Sequence, residues 1–510
     1  MGILTDSLLV DTIALILIVL FLLYKYYTKD YSHWKTLDIS YLEPSFPFGN
    51  AYPNLVQGRP RHQFTQDLYK EFKSRKQPYG GYYVLNIPEL IIVDPALLKN
   101  ILISDFNTFP DRGFHNFELE KEPIVRHLFN LEGHYWKGLR QKLTPTFSSG
   151  KLKFMFETMK ACSEDLTVYL ERNLRETYSV DVKILCECYT LDVIGSCAFG
   201  LKVNCLQDPG SEFRKASLRL FRSSFGLTLK RALLRAAPHL SKFLNIRQVS
   251  PELTKYFTDL VQQNIEHREK NNIERADFLN LLLELKKKQE EQGLTEDKVA
   301  ITLDCIVAQV FLFFIAGFHT SAYAMSRCLE ELANNTNIQD KLRAEIREVT
   351  QNSGGEVTYA NIKEMPYLDK VVKETLRKHP SLPQLNRRSV RPYTMPETGH
   401  TIKSRTRILV PVYAIHYDPE YYPNPEIFDP ERFSPEQVAA RTPFTYLPFG
   451  DGPRNCIGSR FGNLQLKLGL INVLSNYEFL PPSTPSEKKH NVGSILLSID
   501  KLILRAKKLN

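Results

Sequence analysis

Nine consecutive residues, Val310 to Phe318, carry no polar side chain on any face of a helix. A helix that is apolar all round lies inside a large domain or crosses a membrane. Nine residues rise only about 14 Å, roughly half of a bilayer's hydrocarbon core. The run therefore predicts a helix through the centre of one large domain. The flanking pattern starts it near Thr295, with Glu296 and Asp297 in the first turn, and carries it to about Asn334, roughly 60 Å in all.

A second apolar run, Leu8 to Tyr24, is interrupted only by Asp11 and Thr12 and reaches the lower length limit of a membrane span. Tyr26, Tyr27, Lys29 and Asp30 follow it in place of a small-residue cleavage site, which predicts a retained anchor. Lys25, Lys29 and Lys35 flank its C-terminal side, so the rest of the chain is expected on the cytoplasmic face. The division expected is an anchor over residues 1–30 and one catalytic domain over 31–510. Apolar residues at 43% and charged residues at 24% exclude a disordered chain. Eight cysteines without a regular framework point to a reducing compartment. A net charge of +9 suits an anionic membrane surface or an acidic protein, and is too modest and dispersed for nucleic acid.

Pro44, Pro47 and Pro53 read as a stiff connector. Tyr82 to Asn86 and Glu89 to Val93 read as a hairpin around Pro88, and Asp94-Pro95 as the capped start of a helix. Helical periodicity dominates from about Ser148 to Arg377, so the fold class expected is mainly α with small β-sheets. Cys186, Cys188, Cys197 and Cys205 fall within twenty residues, but none has zinc-knuckle spacing. Lys183 to Phe199 reads instead as a core helix.

Near the C-terminus the chain runs Phe449-Gly450-Asp451-Gly452-Pro453-Arg454-Asn455-Cys456-Ile457-Gly458. Glycines and proline place Cys456 on a tight loop, and Ile457 to Leu474 has helical periodicity. A thiol at a helix N-terminus beside Arg454 should be ionised and ready to bind a metal. An isolated cysteine is usually a small buried hydrophobe. Here the frame F-x-x-G-x-R-x-C-x-G, formed by Phe449, Gly452, Arg454, Cys456 and Gly458, resembles the haem-binding signature of the cytochromes P-450.

That resemblance implies the cytochrome P-450 fold: a triangular haem domain with a long central helix, haem b as cofactor and Cys456 as its iron ligand. It assigns Glu374 and Arg377 to the family's E-x-x-R, and Arg432 in Phe428-Asp429-Pro430-Glu431-Arg432-Phe433 to the charge network that joins them. Trp136 and Arg140 match the W-x-x-x-R helix that reaches the haem propionates, with Arg454, Arg387 and Arg112 as further cationic partners. Ala316-Gly317-Phe318-His319-Thr320 is similar to the oxygen-activating A-G-x-(D/E)-T, in which small residues make room for oxygen and the threonine helps deliver protons. His319 stands where the family has an acid, and histidine ordinarily titrates near pH 6.5. The N-terminal anchor, Gly317-Phe318 and the run Tyr421-Tyr422-Pro423-Asn424-Pro425 look most like the insect microsomal enzymes that oxidise toxins.

The same likeness places a lipophilic substrate against Phe114, Phe117 and Phe129; Phe313, Ala316 and Gly317; Leu382 to Leu385; and Ile495 to Leu497, Leu496 among them. It implies NADPH–cytochrome P-450 reductase as electron donor, with cytochrome b5 as a second partner, and Lys142, Arg460 and Lys467 as the basic face for an acidic reductase. Membrane lipid is a further partner, met through Leu218 to Ile246, a basic amphipathic segment. Lys507-Lys508-Leu509-Asn510 resembles a dilysine retrieval signal for the endoplasmic reticulum. The activity implied is insertion of one oxygen atom from O2 into a xenobiotic or insecticide. Rearrangement of peroxides without a reductase, and oxidation of an endogenous hormone or lipid, are the alternatives.

Overall fold

The computed structural model describes residues 7–113, 122–174, 178–221, 230, 243, 245–293, 299–482 and 496–509. Phe114, Phe117, Ile495, residues 295–297 and most of the 218–246 segment lie outside the described residues.

Helix α1, Leu8–Thr28, has no buried residue. Thr12 is tolerated within it because its hydroxyl donates to the Leu8 carbonyl at 2.8 Å. Its last turn meets the domain through Tyr24 and Tyr27, whose rings lie 5.1 and 5.6 Å from that of Phe46. The proline-bearing stretch that follows is half-exposed but is tied to the domain at Gly49. Trp34 is fully buried, and Gly49 bridges to both Ser45 and Val84.

Strands β1 (Tyr79–Val84) and β2 (Ile87–Ile92) form the expected hairpin, but it reverses at Leu85-Asn86, with Leu85 at φ +59°. Pro88 lies inside β2, just before the three residues that pair with the next strand, where its missing N–H costs that side nothing. Asp94 caps α3 (Pro95–Lys99) by accepting the Ala96 N–H at 2.6 Å. α2 (Arg61–Ser74) covers the same sheet.

The helical body contains α4 (Gly133–Leu143), α5 (Ser149–Asn173), α6 (Val182–Ile194), α7 (Glu212–Phe221), α8 (Pro251–Asn271), α9 (Phe278–Glu291), α10 (Leu303–Asn334), α11 (Thr336–Asn352), α12 (Pro366–Lys378) and α13 (Ser459–Asn476). Short strand β3 (Ser179–Asp181) interrupts it. Strands β4 (Leu385–Arg388) and β5 (Arg407–Val410) complete a four-stranded sheet in the order β1-β2-β5-β4, with β2 and β5 parallel. β6 (Tyr477–Leu480) and β7 (Ile503–Lys508) form a three-stranded sheet with β3. One core surrounds α10 and a second lies on the four-stranded sheet.

The long central helix starts later than its charge pattern suggested. Thr302 caps α10 by accepting the Cys305 N–H at 3.2 Å, while the Gln289 side chain takes the N–H of Ile301 at 3.0 Å. Its 32 residues span about 48 Å. The most apolar stretch of α10 is 67% buried, whereas that of the N-terminal helix is 0% buried. That contrast separates the core helix from the exposed one. Cys186, Cys188, Cys197 and Cys205 are individually buried, and no metal-holding cluster exists among the described residues. Lys507 and Lys508 belong to β7, paired with Glu478 and Tyr477, and Lys508 reaches Glu171 at 2.6 Å. The dilysine pair is thus held in a sheet, unlike an extended tail.

Candidate active site around Cys456

The cysteine loop is closed by the Cys456 N–H donating to the Phe449 carbonyl at 2.9 Å and the Asn455 N–H to Gly452 at 3.0 Å. Gly452, at φ +71°, lies so close to the Leu102 carbonyl that a Cβ would collide with it. Gly458 is the N-cap of α13. Cys456 is solvent-accessible, yet desolvation is the largest influence on its thiol. Together these put Sγ on the wall of an interior cavity. Burial raises the thiol pKa above its ordinary value, and the Gly458 N–H, Arg112 and Arg140 pull it down in part. The expectation of an ionised thiol beside Arg454 therefore needs two corrections: burial opposes ionisation, and the nearby cations are Arg112 and Arg140. A bound cation would supply the remaining stabilisation of a thiolate.

Glu374 and Arg377, three apart on α12, form a two-point ion pair at 2.7 and 2.8 Å with both side chains fully buried. Arg432 Nε stands 3.5 Å from Glu374, and the Asp429 N–H donates to it at 3.0 Å. Arg377 also donates to the carbonyls of His416 and Pro425, both at 2.8 Å. This network ties α12 to the segment that leads into the cysteine loop.

Above the loop, Arg112, Arg387 and Arg454 converge. Arg454 lies over the Trp136 ring at 4.1 Å and donates to the carbonyls of Pro110 and Leu131 at 2.5 and 2.9 Å. Arg112 lies over Phe129 at 4.1 Å and donates to the Arg454 carbonyl at 3.2 Å. Burial is the main cause that pushes Arg454 down to about 8, Arg387 to about 9 and Arg112 to about 10, with Arg112 and Arg387 repelling Arg454, Arg112 repelling Arg387 and Arg140 repelling Arg112. Arg112 Nε, Arg387 Nε and Arg454 Nη1 are buried with no acceptor among the described residues. Three crowded cations with unused donors fit an anionic group such as the two carboxylates of haem b. Both arms of the Arg140 guanidinium bond Asn455, at 3.0 and 2.8 Å, so it braces the cysteine loop.

On α10, Ala316 is exposed and Ile315, Gly317, His319 and Thr320 are half-buried, while residues 306–314 and 321–333 are buried, so this turn opens onto the interior. Thr320, one turn on, donates its hydroxyl to the Ala316 carbonyl at 2.5 Å. Gly462 of α13 lies against the Ser321 hydroxyl, which brings the cysteine-bearing helix beside this turn. Gly317 faces elsewhere. A Cβ there would come within 2.7 Å of Ile194 on α6, so its smallness serves the packing of the two helices. Desolvation, with Lys183 adding like charge, holds His319 down at about 4.

Phe313 is also displaced from its expected role. It is buried among Phe147 and Phe278, with centroids 5.3 and 4.9 Å away, and belongs to the core. Leu312, one turn before Ala316 on the same face, is the better candidate for the cavity wall. Leu385 packs beside Gly450, and Leu382 joins the sheet core. Ser381 was not singled out by any motif, yet it unites three segments. Its hydroxyl donates to the Thr320 carbonyl at 3.0 Å, and its carbonyl accepts the Leu497 N–H at 3.0 Å, next to Leu496. Of the basic residues expected to face a reductase, Lys142 bonds the Val299 carbonyl at 2.9 Å and Lys467 pairs with Asp369 at 2.8 Å. Arg460 is the exposed member of the three, with one contact at 3.5 Å to Ser149.

The family model described as Cytochrome P-450 matches residues 44–505. Among curated proteins the chain is 42% identical to the probable cytochrome P-450 6a13 of Drosophila melanogaster, over 92% of each chain. It is 41% identical to cytochrome P-450 6a2 of the same insect, over 92% of this chain and 94% of the relative. Cytochrome P-450 6k1 of Blattella germanica is 38% identical over 94% of this chain and 93% of the relative.

Proposed function

The chain belongs to the cytochrome P-450 family of haem b monooxygenases, and from that premise we propose that it oxidises a lipophilic foreign compound, such as an insecticide, at the endoplasmic reticulum membrane. In this reading residues 1–30 anchor the chain, residues 31–510 form the catalytic domain on the cytosolic side, and a reductase supplies electrons from NADPH. One observation carries it: a cysteine on the wall of an interior cavity lies below three crowded guanidiniums with unused donors and beside the Ala316–Thr320 turn.

Each role follows from a contact. Cys456 holds the iron, with the Gly458 N–H, Arg112 and Arg140 favouring the thiolate. Arg112, Arg387 and Arg454 hold the cofactor's carboxylates, and Trp136 fixes the Arg454 plane. When bound, the haem activates O2 with two externally supplied electrons, and a thiolate ligand favours O–O cleavage. Ala316 leaves room beside the helix. The Thr320 oxygen, its proton engaged by Ala316, offers lone pairs that accept a hydrogen bond from an incoming proton donor. The Glu374–Arg377–Arg432 network holds the cysteine loop rigid from behind. The apolar walls at Leu312, Leu385 and Leu496 exclude water and favour a lipophilic substrate.

The test is reconstitution of the full chain with reductase in lipid. Cys456→Ser should remove the red-shifted carbon monoxide band of the reduced protein. Lipophilic candidates that shift the haem spectrum should acquire one atom of isotopically labelled O2 at the expense of NADPH. A wild-type protein that consumes no NADPH and turns over only hydroperoxides would replace this reading with peroxide rearrangement.

A further inference from the structure

Two carboxylates stand directly behind the cationic cluster. Asp111 Oδ1 accepts the Gly133 N–H at 2.9 Å and lies 3.6 Å from Arg454 Nη2, while Oδ2 lies 3.5 Å from Arg388. Glu132 Oε1 accepts the Gly113 N–H at 3.2 Å, and Oε2 pairs with Arg388. Arg112 is thus flanked by Asp111 on one side and on the other by Gly113, which Glu132 holds. The two acids also fix the start of α4, which carries Trp136. The Arg388 N–H donates to the Asp111 carbonyl at 2.8 Å, which joins β4 and Arg387 to the same frame.

Charge counting gives this frame a purpose. Arg112, Arg387, Arg388 and Arg454 bring four positive charges, and Asp111 and Glu132 bring two negative ones. Neighbouring charges already have opposite partners: Arg407 has Glu89 at 3.6 Å, and Arg140 faces the Cys456 thiolate, the negative charge that acts on it. Two positive charges remain, the complement of a dianion. The geometry is directional as well. Asp111 engages Arg454 through Nη2, while its Nη1 stays without an acceptor.

We propose that Asp111 and Glu132 are positioning residues that hold the arginine cluster at a net charge of two, matched to the cofactor's two propionates, and so set the electrostatic potential at the haem. The inference rests on the haem reading above. Excess positive charge favours the reduced iron, which carries one charge fewer, and a deficit favours the oxidised iron.

Glu132 and Arg388 are only partly buried, at 28% and 16% exposure, so their variants suit the test better than those of Asp111. In the full-length holoprotein, Glu132→Gln should move the midpoint potential in the positive direction and Arg388→Gln in the negative direction. The double variant, which restores the net charge, should return it to the wild-type value. Arg388→Gln should also release haem to an acceptor apoprotein several-fold faster. Single variants that shift the potential in the same direction or not at all, or a double variant that fails to restore it, would overturn the proposal. Loss of the thiolate carbon monoxide band in wild-type protein would strike the haem reading beneath it.

Discussion

The Ser381 hydroxyl donates to the Thr320 carbonyl at 3.0 Å, so the loop after α12 holds the backbone of α10 at the residue whose own hydroxyl meets Ala316. Both hydroxyls spend their protons on carbonyls of one helical turn. That turn is therefore positioned from outside the helix as well as from within.

Removing the outer tie should loosen the turn without touching the reacting groups. One such bond contributes about 1 kcal/mol, roughly a fivefold change in a local equilibrium. Ser381→Ala should lower the ratio of product formed to NADPH consumed by about that factor, with more peroxide released, while Ser381→Thr retains the ratio. Equal ratios in all three proteins at matched haem content would reduce Ser381 to packing.

The Glu374–Arg377 pair is fully buried, and Arg432 is only partly so at 13% exposure. Breaking a buried pair by deleting one charge costs about 3–5 kcal/mol because the other is left uncompensated. Glu374→Gln should accordingly yield protein that retains little haem and unfolds at markedly lower temperature. Arg432→Lys, which keeps a cation near Glu374, should be much milder. Thermal unfolding and haem content of the two variants, compared side by side, check the order.

What the sequence made legible was whatever a short spacing encodes. Cys456 with its glycines, the i,i+3 pair Glu374 and Arg377, and the Asp94 cap each sit within a few residues of their partners, and each adopts the expected local form. Direction across the fold was less legible. Val310 to Phe318 is apolar all round, so nothing local says which flank faces a cavity. Phe313 went to the core and Gly317 to Ile194 for that reason. Ser381, Asp111 and Glu132 gain meaning only from residues far away in the chain. Arg140 bonds Asn455 across 315 positions, and no spacing rule reports such a contact.

His319 is pushed down to about 4 by burial, and His127 and His416 to about 3 by the same cause. The neutral imidazole therefore persists at neutral pH, and His319 cannot make coupling depend on pH there. Product-to-NADPH ratios of the wild type and His319→Ala should be flat from about pH 6 to 8. Stability should behave otherwise. Below about 6.5 the unfolded chain takes up protons that the folded chain refuses, so folding weakens as pH falls from there toward 4. Denaturant midpoints measured across that window should decline, and the decline should be shallower in His319→Ala. A coupling ratio that titrates near neutrality would show that the site's histidine is far less desolvated than its surroundings require.

Gly317 and Ile194 meet where α10 packs against α6: a Cβ on Gly317 would lie 2.7 Å from Ile194 Cδ1 and 3.3 Å from its Cγ1. Family resemblance alone would assign this glycine to oxygen binding, whereas the contact assigns it to helix packing. The two readings part on a double variant. If packing governs, Gly317→Ala overfills the contact and should cost about 1–3 kcal/mol, the range found for added methyl groups in tight cores. Ile194→Val removes the nearer of the two opposing atoms, and combined with Gly317→Ala it should recover much of the loss, because residues in direct contact couple in such cycles. The oxygen reading expects no help from Ile194, and expects a weaker carbon monoxide or oxygen complex in Gly317→Ala whatever stands at position 194. Denaturant unfolding of the four proteins, with carbon monoxide affinity measured on each, separates them. Stability restored by Ile194→Val with ligand affinity unchanged throughout would leave Ala316 as the small residue that opens the helix to the cavity.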